Sequence, residues 1–407
     1  MGHRTDLLST IRGVFPGKLP YALRFDIWFN AHQYRGTLPH EYRDCATPLD
    51  VARKIKVGGH LVIPDFIRPE NPMQMADRGI GLYNLPQVPY QVSLRKVERT
   101  VAYDGQTTTV TYRTPKGSVR VGFEMTEDMK KSGATISWIT EHALKGVDNY
   151  APLTFIFENL DVEPFYDGVS AMIDDAGEDA VVVANASMPG SPMQHVMRDL
   201  IGMTSFFMEM IDHPEKLKAL AGAIGSYFEQ LMPAAASCPG ELVMFGANMD
   251  ETITYPPFYE EHIMPWIAQF AAMAHDNGKF VLIHADGENR SLFDLYRQSG
   301  IDVLEAVATA PMTKSDIHEV LARTEGMTVW GGIPSVVLMT ESYSEDAFER
   351  FMEATIEAVG NRPRFILGVS DTTPPDADFD RLIRIRDMIR EKAEGRRVKK
   401  CLNRRIL

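Results

Sequence analysis

The chain has 407 residues and little cysteine. Its three cysteines, Cys45, Cys238 and Cys401, lie far apart and form neither a C-x-x-C nor an H-x-C pair. A scattered, odd-numbered set does not build a disulfide framework or a closed zinc finger. We therefore expect a protein of a reducing compartment, the cytoplasm.

Long apolar runs and an excess of basic charge are also absent. No uncharged apolar run reaches the roughly 18 residues of a membrane span, and the first eight residues lack the apolar core of a signal peptide. Lysine and arginine total 42 against 55 acidic residues, which gives a formal net charge of -13. Nucleic-acid-binding proteins are usually basic. We expect neither a membrane nor a nucleic acid as a partner.

Glycine-rich phosphate loops of the type G-x-G-x-x-G or G-x-x-x-x-G-K-[ST] are missing too, which argues against a doubly wound sheet. Eight short apolar runs instead alternate with helical stretches, and such alternation is typical of parallel strands. The runs are Tyr21–Phe29, His60–Pro64, Ala180–Asn185, Leu242–Gly246, Phe280–Ala285, Asp302–Ala306, Thr328–Ile333 and Phe365–Val369. The pattern predicts an α/β fold, a (β/α)8 TIM barrel.

An insertion interrupts the barrel in the N-terminal third. Three β-type runs, separated by the turn signals Asp104-Gly105 and Pro115-Lys116-Gly117, predict an antiparallel hairpin or meander at about 88–125. It is a candidate lid or dimerisation arm, which leaves a homodimer open. We expect one elaborated barrel over 1–395, followed by a solvated, disordered basic tail over 396–407.

Polar residues after the strands are the candidates for function, because TIM-barrel active sites lie at the carboxyl ends of the strands. After the first strand come three candidate substrate-binding residues, Asp26, Trp28 and Asn30. Asn248 and Asp250 follow the fourth strand and are candidates for the same role. Trp28 and the chain's methionines would supply apolar contact.

The strongest signal is a histidine at the end of an apolar strand. His284 is followed two residues later by Asp286, so both side chains point to the barrel mouth. Glu305 lies on the next strand, and Asp371 follows the last one. These four are the candidate catalytic residues, suited to proton transfer. His284, Asp286 and Glu305 are also candidate ligands of Zn²⁺, with a structural, hydrogen-bonded histidine as the alternative.

The stretch from Asn248 to Glu305 resembles the uroporphyrinogen decarboxylase superfamily. The shared pieces are an acidic loop, a Pro-x-x-Tyr-x-x-x-x-x-Pro helix start, a His-x-x-Gly strand end and Gly-Ile-Asp-Val-Leu before a strand. The resemblance covers residues 150–390 well and the first 150 loosely, and it implies the (β/α)8 fold. True decarboxylases of this superfamily carry an N-terminal Arg-Gln-Ala-Gly-Arg segment that holds substrate carboxylates. Here the corresponding residues 23–30 lack it, which disfavours a porphyrinogen substrate.

Another branch of the superfamily, the cobamide-dependent methyltransferases, is also similar. Its members bind zinc through His-x-Cys, often a glutamate on the next strand, and a late cysteine. His284 and Glu305 match two of these positions, whereas Asp286 stands at the first cysteine and Ser370 or Asp371 at the second. The loss of both thiolates removes the soft ligands suited to activating a thiol.

The hypothesis that follows from this resemblance is a substrate-side methyltransferase. It would move a methyl group from a small methoxy or methylamine-type compound to the cobalt of a corrinoid partner protein, with zinc as a second cofactor to be tested. Two alternatives stay open. One is a cofactor-independent decarboxylase or lyase acting on a small carboxylated substrate, and the other is a binding or regulatory barrel without catalysis.

Overall fold

The computed structural model describes the backbone of residues 2–67 and 72–403, and their side chains except for residues 72 and 396–403. The strands are β1 Ala22–Leu23, β2 Gly58–Val62, β3 Tyr90–Leu94, β4 Glu98–Tyr103, β5 Thr107–Thr114, β6 Gly117–Glu124, β7 Trp138–Glu141, β8 Leu160–Pro164, β9 Ala180–Ser187, β10 Leu242–Phe245, β11 Phe280–His284, β12 Val303–Val307, β13 Thr328–Ile333 and β14 Phe365–Val369.

The α-helices are α1 His3–Ile11, α2 Asp26–Arg35, α3 Pro48–Ile55, α4 Glu127–Lys131, α5 Tyr150–Glu158, α6 Asp167–Ala176, α7 Pro192–His195, α8 Met203–Asp212, α9 Pro214–Ala236, α10 Pro256–Phe258, α11 Met264–Asp276, α12 Phe293–Gln298, α13 Ile317–Arg323, α14 Glu345–Val359 and α15 Phe379–Asn403. A 3-10 segment spans Pro72–Ile80, and a π-helical turn spans Val196–Leu200. Among the described residues, none of the helices combines the length and apolarity that a membrane crossing requires.

Eight parallel strands form the barrel, in the order β1-β2-β9-β10-β11-β12-β13-β14. The ends of this sheet meet where Tyr21 bridges to Leu367, whose amide donates to the Pro20 carbonyl at 2.9 Å. The strands are almost wholly buried, as their apolar runs predict. The TIM-barrel prediction is confirmed, and both β13 and β14 have the predicted bounds.

The first predicted strand is wrong over most of its length. The run Tyr21–Phe29 yields only the two-residue β1, and helix α2 begins at Asp26. Phe25, Ile27 and Phe29 recur at every second position, as in a strand, but Phe25, Trp28 and Phe29 also have the i, i+3, i+4 spacing of one helix face. Packing decides for the helix, because the Trp28 ring lies 4.5 Å from the Phe379 ring at the start of α15.

The insertion is larger than the predicted hairpin. The run from Tyr90 to Val101 breaks at Lys96, whose φ is +56°. Strand β3 pairs with β8, whereas β4 to β7 form a separate four-stranded antiparallel sheet that ends at Glu141. At the C-terminus, the backbone of α15 continues through most of the predicted disordered tail to Asn403, and residues 404–407 lie outside the described part.

Candidate active site

His284 and Glu305 lie side by side because their strands pair in that register, β11 with β12. The distance between His284 Nδ1 and Glu305 Oε2 is 2.5 Å, and both residues are buried. The Glu305 carboxylate thus fixes the orientation of the imidazole and favours a proton on Nδ1. The sequence prediction that these two residues meet at the mouth agrees with this geometry.

The other ring nitrogen of His284 faces two more carboxylates. Its Nε2 lies 3.6 Å from Asp286 Oδ1 and 3.7 Å from Asp371 Oδ1. Burial would lower the pKa of His284, but the charges of Glu305 and Asp286 outweigh burial and raise this pKa well above its ordinary value. Burial alone would likewise raise the pKa of Asp286, yet His284 holds it below its usual range. The geometry and charges favour a doubly protonated imidazolium at neutral pH.

Asp371 owes its position to the backbone after β14. Its φ is +72°, a conformation that aspartate tolerates better than most residues. The preceding Ser370 amide donates to the Ile333 carbonyl, which holds the turn against β13. The side chains of Asp371 and Asp286 are 43% and 36% exposed, against 11% for His284, so these two carboxylates form the solvent side of the site.

A buried arginine that the sequence reasoning did not select lies among these carboxylates. Arg24 follows β1 directly, and its guanidinium contacts four acidic side chains. The nearest nitrogen–oxygen distances are 2.9 Å to Asp65, 3.1 Å to Asp371, 3.4 Å to Asp26 and 3.7 Å to Glu305. The sequence prediction placed Arg24 inside a strand, so Arg24 was not considered among the residues that follow a strand. Because four carboxylates surround it, Arg24 is engaged within the protein and is not free to hold a substrate carboxylate.

Asp26 is buried on the inner side of this cluster. Burial raises its pKa to about 6, although the charge of Arg24 works in the opposite direction. The Thr372 hydroxyl donates to Asp26 Oδ1 at 3.1 Å. Asp26 is 1% exposed and contacts the Arg24 guanidinium, and its predicted role in substrate binding stays a prediction.

His60 and Trp330 close the site from inside the barrel. The His60 ring stacks on the Trp330 indole with a centroid distance of 3.9 Å, and its Nδ1 lies 3.6 Å from Glu305 Oε1. Burial and the charges of Arg24 and His284 lower the pKa of His60 well below its ordinary value, so this histidine is neutral. Sequence reasoning missed His60, although a histidine within the otherwise apolar strand Gly58–Val62 is a detectable signal.

The uroporphyrinogen decarboxylase family model matches residues 122–392, about two thirds of the chain. The chain belongs to the uroporphyrinogen decarboxylase family. A solved methyltransferase from Methanosarcina mazei is similar in structure, with a TM-score of 0.52 and 12% sequence identity. The similarity covers 96% of this chain and 99% of that chain, and at this identity it shows the shared fold alone. No curated protein matches the sequence.

In this family member, two predicted substrate-binding residues lie away from His284. Trp28 is 1% exposed, and its ring packs among Phe25, Tyr42 and Phe379 between α2 and α15. Its predicted contact with substrate is therefore not supported. Asn30 lines a separate surface cavity of about 570 Å³ beside α4. Both were selected because the first strand was expected to end at Phe29, close to the barrel mouth.

The other two predicted substrate-binding residues lie on the loop after β10. Asn248 is exposed, has a φ of +55° and lines a cavity of about 520 Å³. Asp250 has a structural role, because its Oδ2 accepts from the Glu288 amide at 2.9 Å and its Oδ1 from the Thr252 amide at 2.8 Å. This residue ties the β10 loop to the loop that carries Asp286.

The predicted zinc ligands are His284, Asp286 and Glu305. The two carboxylates lie on different sides of the His284 imidazole, so the three side chains do not converge on one point. Glu305 contacts Nδ1, and Asp286 faces Nε2. The two nitrogens point in different directions, so a single ion would bind only one of them. Within the part of the chain that the structure describes, no three His, Cys, Asp or Glu side chains are placed to hold a metal ion. This trio does not fit a zinc ion, and we derive no step through a metal.

Proposed function

We propose that this chain transfers a methyl group from a small methoxy or methylamine-type compound to the cobalt of a corrinoid partner protein. The observation that carries the proposal is the imidazole of His284, which is held by Glu305 on one side and directed toward the mouth on the other. The chain's family and its structural similarity to a methyltransferase support the proposal.

The chemistry of a methyl ether explains why a protonated imidazole is useful. An ether oxygen is a poor leaving group until it receives a proton, so a general acid beside it accelerates departure of the methyl group. His284 is placed to give its Nε2 proton to the oxygen that keeps the bonding electron pair. Glu305 stabilises the imidazolium before the transfer, and Asp286 and Asp371 face the same nitrogen. The reduced cobalt supplies the nucleophile.

Exposed apolar side chains near the mouth support a protein partner. Met203 and Trp138 line the same cavity as Asn248 and are 48% and 68% exposed. Further along α8, Met208 and Ile211 are 56% and 75% exposed. Clustered exposed apolar residues of this kind mark interaction sites. A corrinoid protein docked here would bring its cobalt to the strand ends.

The test is methyl transfer in vitro. Purified protein is mixed anaerobically with cob(I)alamin and with methoxyaromatic compounds or betaines, and methylcobalamin is followed spectroscopically. We expect formation with at least one donor and a loss of about 100-fold or more in His284→Gln, since general acids contribute about 10²–10⁴-fold. The matched control is His318→Gln, because His318 is an exposed residue of α13. No spectral change with any donor contradicts the proposal.

Two further measurements address the alternatives. The family assignment favours a decarboxylase as the second candidate, and that function predicts release of carbon dioxide from a small carboxylated substrate without cobalt. Zinc at His284, Asp286 and Glu305 is the other prediction, and the arrangement of these three side chains around two different ring nitrogens does not favour it. Elemental analysis of wild type and Glu305→Ala, purified without chelators, checks it, and less than about 0.2 zinc per chain would retire the ligand set.

A further inference from the structure

A cavity of about 520 Å³ opens at the carboxyl ends of β9 and β10, beside the candidate active site. Apolar side chains form much of its wall, among them Ile139, Met197 and Met203. Two arginines, Arg78 and Arg198, line the same space. The cavity therefore combines an apolar body with positive charge, which is the character of a site for a small organic anion.

Arg78 is the unusual residue among those that line the cavity. It is 9% exposed, and its Nε and Nη1 are buried without a hydrogen-bond partner. Buried donors normally have partners, because an unsatisfied donor loses its hydration without compensation. The carboxylate of the neighbouring Asp77 is already engaged by Arg99 and by the Tyr112 hydroxyl. A ligand group that enters the cavity would supply the partner that these atoms lack.

The backbone around Arg78 is held rigidly. A Cβ on Gly79 would come within 2.6 Å of Val121, and one on Gly81 would come within 2.4 Å of the His195 ring. The atom nearest to that Cβ is His195 Nε2, which also forms a hydrogen bond with the Ile80 carbonyl at 2.9 Å. Close packing on both sides restricts the backbone that carries Arg78, which lowers the entropy lost on binding.

Arg198 adds charge from the π-helical turn after α7, which packs against the 3-10 segment that carries Arg78. Its Nη1 donates to both oxygens of Asp199, at 3.0 and 3.2 Å, so its charge is partly neutralised. Asp199 also lines the cavity and opposes the binding of anions. Arg198 also interacts electrostatically with Asp65, which pairs with Arg24 at 2.9 Å, so the charges of the cavity and of the Arg24 cluster are linked.

We propose that Arg78, assisted by Arg198, binds a carboxylate of the substrate, so that the methyl donor is a small amphiphilic carboxylate. The inference rests on the proposed methyl transfer. A carboxylate matches the planar guanidinium in a bidentate manner, and the apolar wall receives the body of the ligand. One carboxylate is accommodated, whereas the acidic mouth repels a polycarboxylate.

The experiment compares two probes by calorimetric titration of the full chain without a corrinoid protein. The probes are 4-methoxybenzoate and methoxybenzene, which share the methoxy group and differ in the carboxylate. Wild type is expected to bind 4-methoxybenzoate at least about tenfold more tightly, as one charge-assisted hydrogen bond predicts. Arg78→Gln is expected to remove this preference and leave the affinity for methoxybenzene unchanged. The control Arg113→Gln, which removes an exposed partner of Glu98, changes neither affinity.

Several outcomes overturn the subsite. Equal affinity of wild type for both probes, no binding of 4-methoxybenzoate up to about 10 mM, or an equal loss of both probes in a folded Arg78→Gln protein would each do so. The wild-type comparison stands even if that variant does not fold. Carboxylate-dependent binding without any methylcobalamin formation contradicts the proposed function and leaves the subsite intact. If donors with and without a carboxylate transfer their methyl group at the same rate, only the carboxylate subsite is contradicted.

Discussion

Replacing Arg24 by methionine is the most informative perturbation of stability. Arg24 is 4% exposed and supplies the shared positive charge for four carboxylates at 2.9 to 3.7 Å. Methionine keeps much of the apolar stem and removes the charge. The carboxylates stay buried or half-buried, and they then repel one another without a counter-charge.

The magnitude follows from the behaviour of buried ion pairs. Removing one partner of such a pair costs about 3–5 kcal/mol, because the remaining charge is left uncompensated. Four acidic side chains depend on Arg24, so we expect the upper end, about 5 kcal/mol at pH 7.5. That is a large fraction of the usual stability of a domain.

The loss must depend on pH in a defined direction. The pKa of Asp26 is raised from 3.8 to about 6, and Arg24 opposes this increase. Ionisation of Asp26 therefore lowers the free energy of unfolding by about 3 kcal/mol as pH rises from 3.8 through 6. Without Arg24 the pKa of Asp26 rises further, so the loss of unfolding free energy caused by its ionisation becomes larger and extends above pH 6. The variant should lose less stability relative to wild type at pH 5 than at pH 8.

Urea unfolding followed by tryptophan fluorescence at pH 5 and pH 8 measures the effect. Arg381→Met is the matched control, because Arg381 is 2% exposed but pairs with one carboxylate, the exposed Glu345. The control should destabilise with little dependence on pH. A loss below about 1 kcal/mol in Arg24→Met, or one that does not change between the two pH values, would refute the role of Arg24 as the shared counter-charge.

Three further predictions concern single side chains. Glu305→Gln removes the carboxylate at His284 Nδ1 and should lower the pKa of His284, because that charge stabilises the imidazolium. NMR of the imidazole measures the shift, and an unchanged titration contradicts the pairing. Asp26→Asn should abolish the fall in unfolding free energy between pH 4 and pH 6, visible in urea midpoints, and the same slope as wild type would speak against it. Trp28→Ala should cost about 3–5 kcal/mol in stability and leave probe affinity at the mouth unchanged, because its ring packs outside the site; stable protein with lost affinity would restore its predicted role.

The later strands could be predicted because their apolar runs are continuous and bounded by turns. A fully buried parallel strand can be recognised from the sequence alone, as Thr328–Ile333 and Phe365–Val369 show. The first strand could not be predicted, since Phe25, Ile27 and Phe29 fit the period of a strand while Phe25, Trp28 and Phe29 fit the period of a helix. The predicted strand ended at Phe29 and the observed strand ends at Leu23, so the first residue after the strand was taken to be Asn30 when it is Arg24.

The candidate active site was also predictable only in part. By itself the sequence determined that this is a barrel of the uroporphyrinogen decarboxylase family and that His284, Asp286, Glu305 and Asp371 follow or lie on its strands, because local periodicity defines which residues reach the mouth. Only the tertiary structure decided how their charges are balanced. Arg24 and His60 reach Glu305 from β1 and β2, more than 200 residues away in sequence, and Arg78 reaches the cavity from a 3-10 segment between β2 and β3. Electrostatic partners depend on distance in space, and closure of the barrel sets those distances.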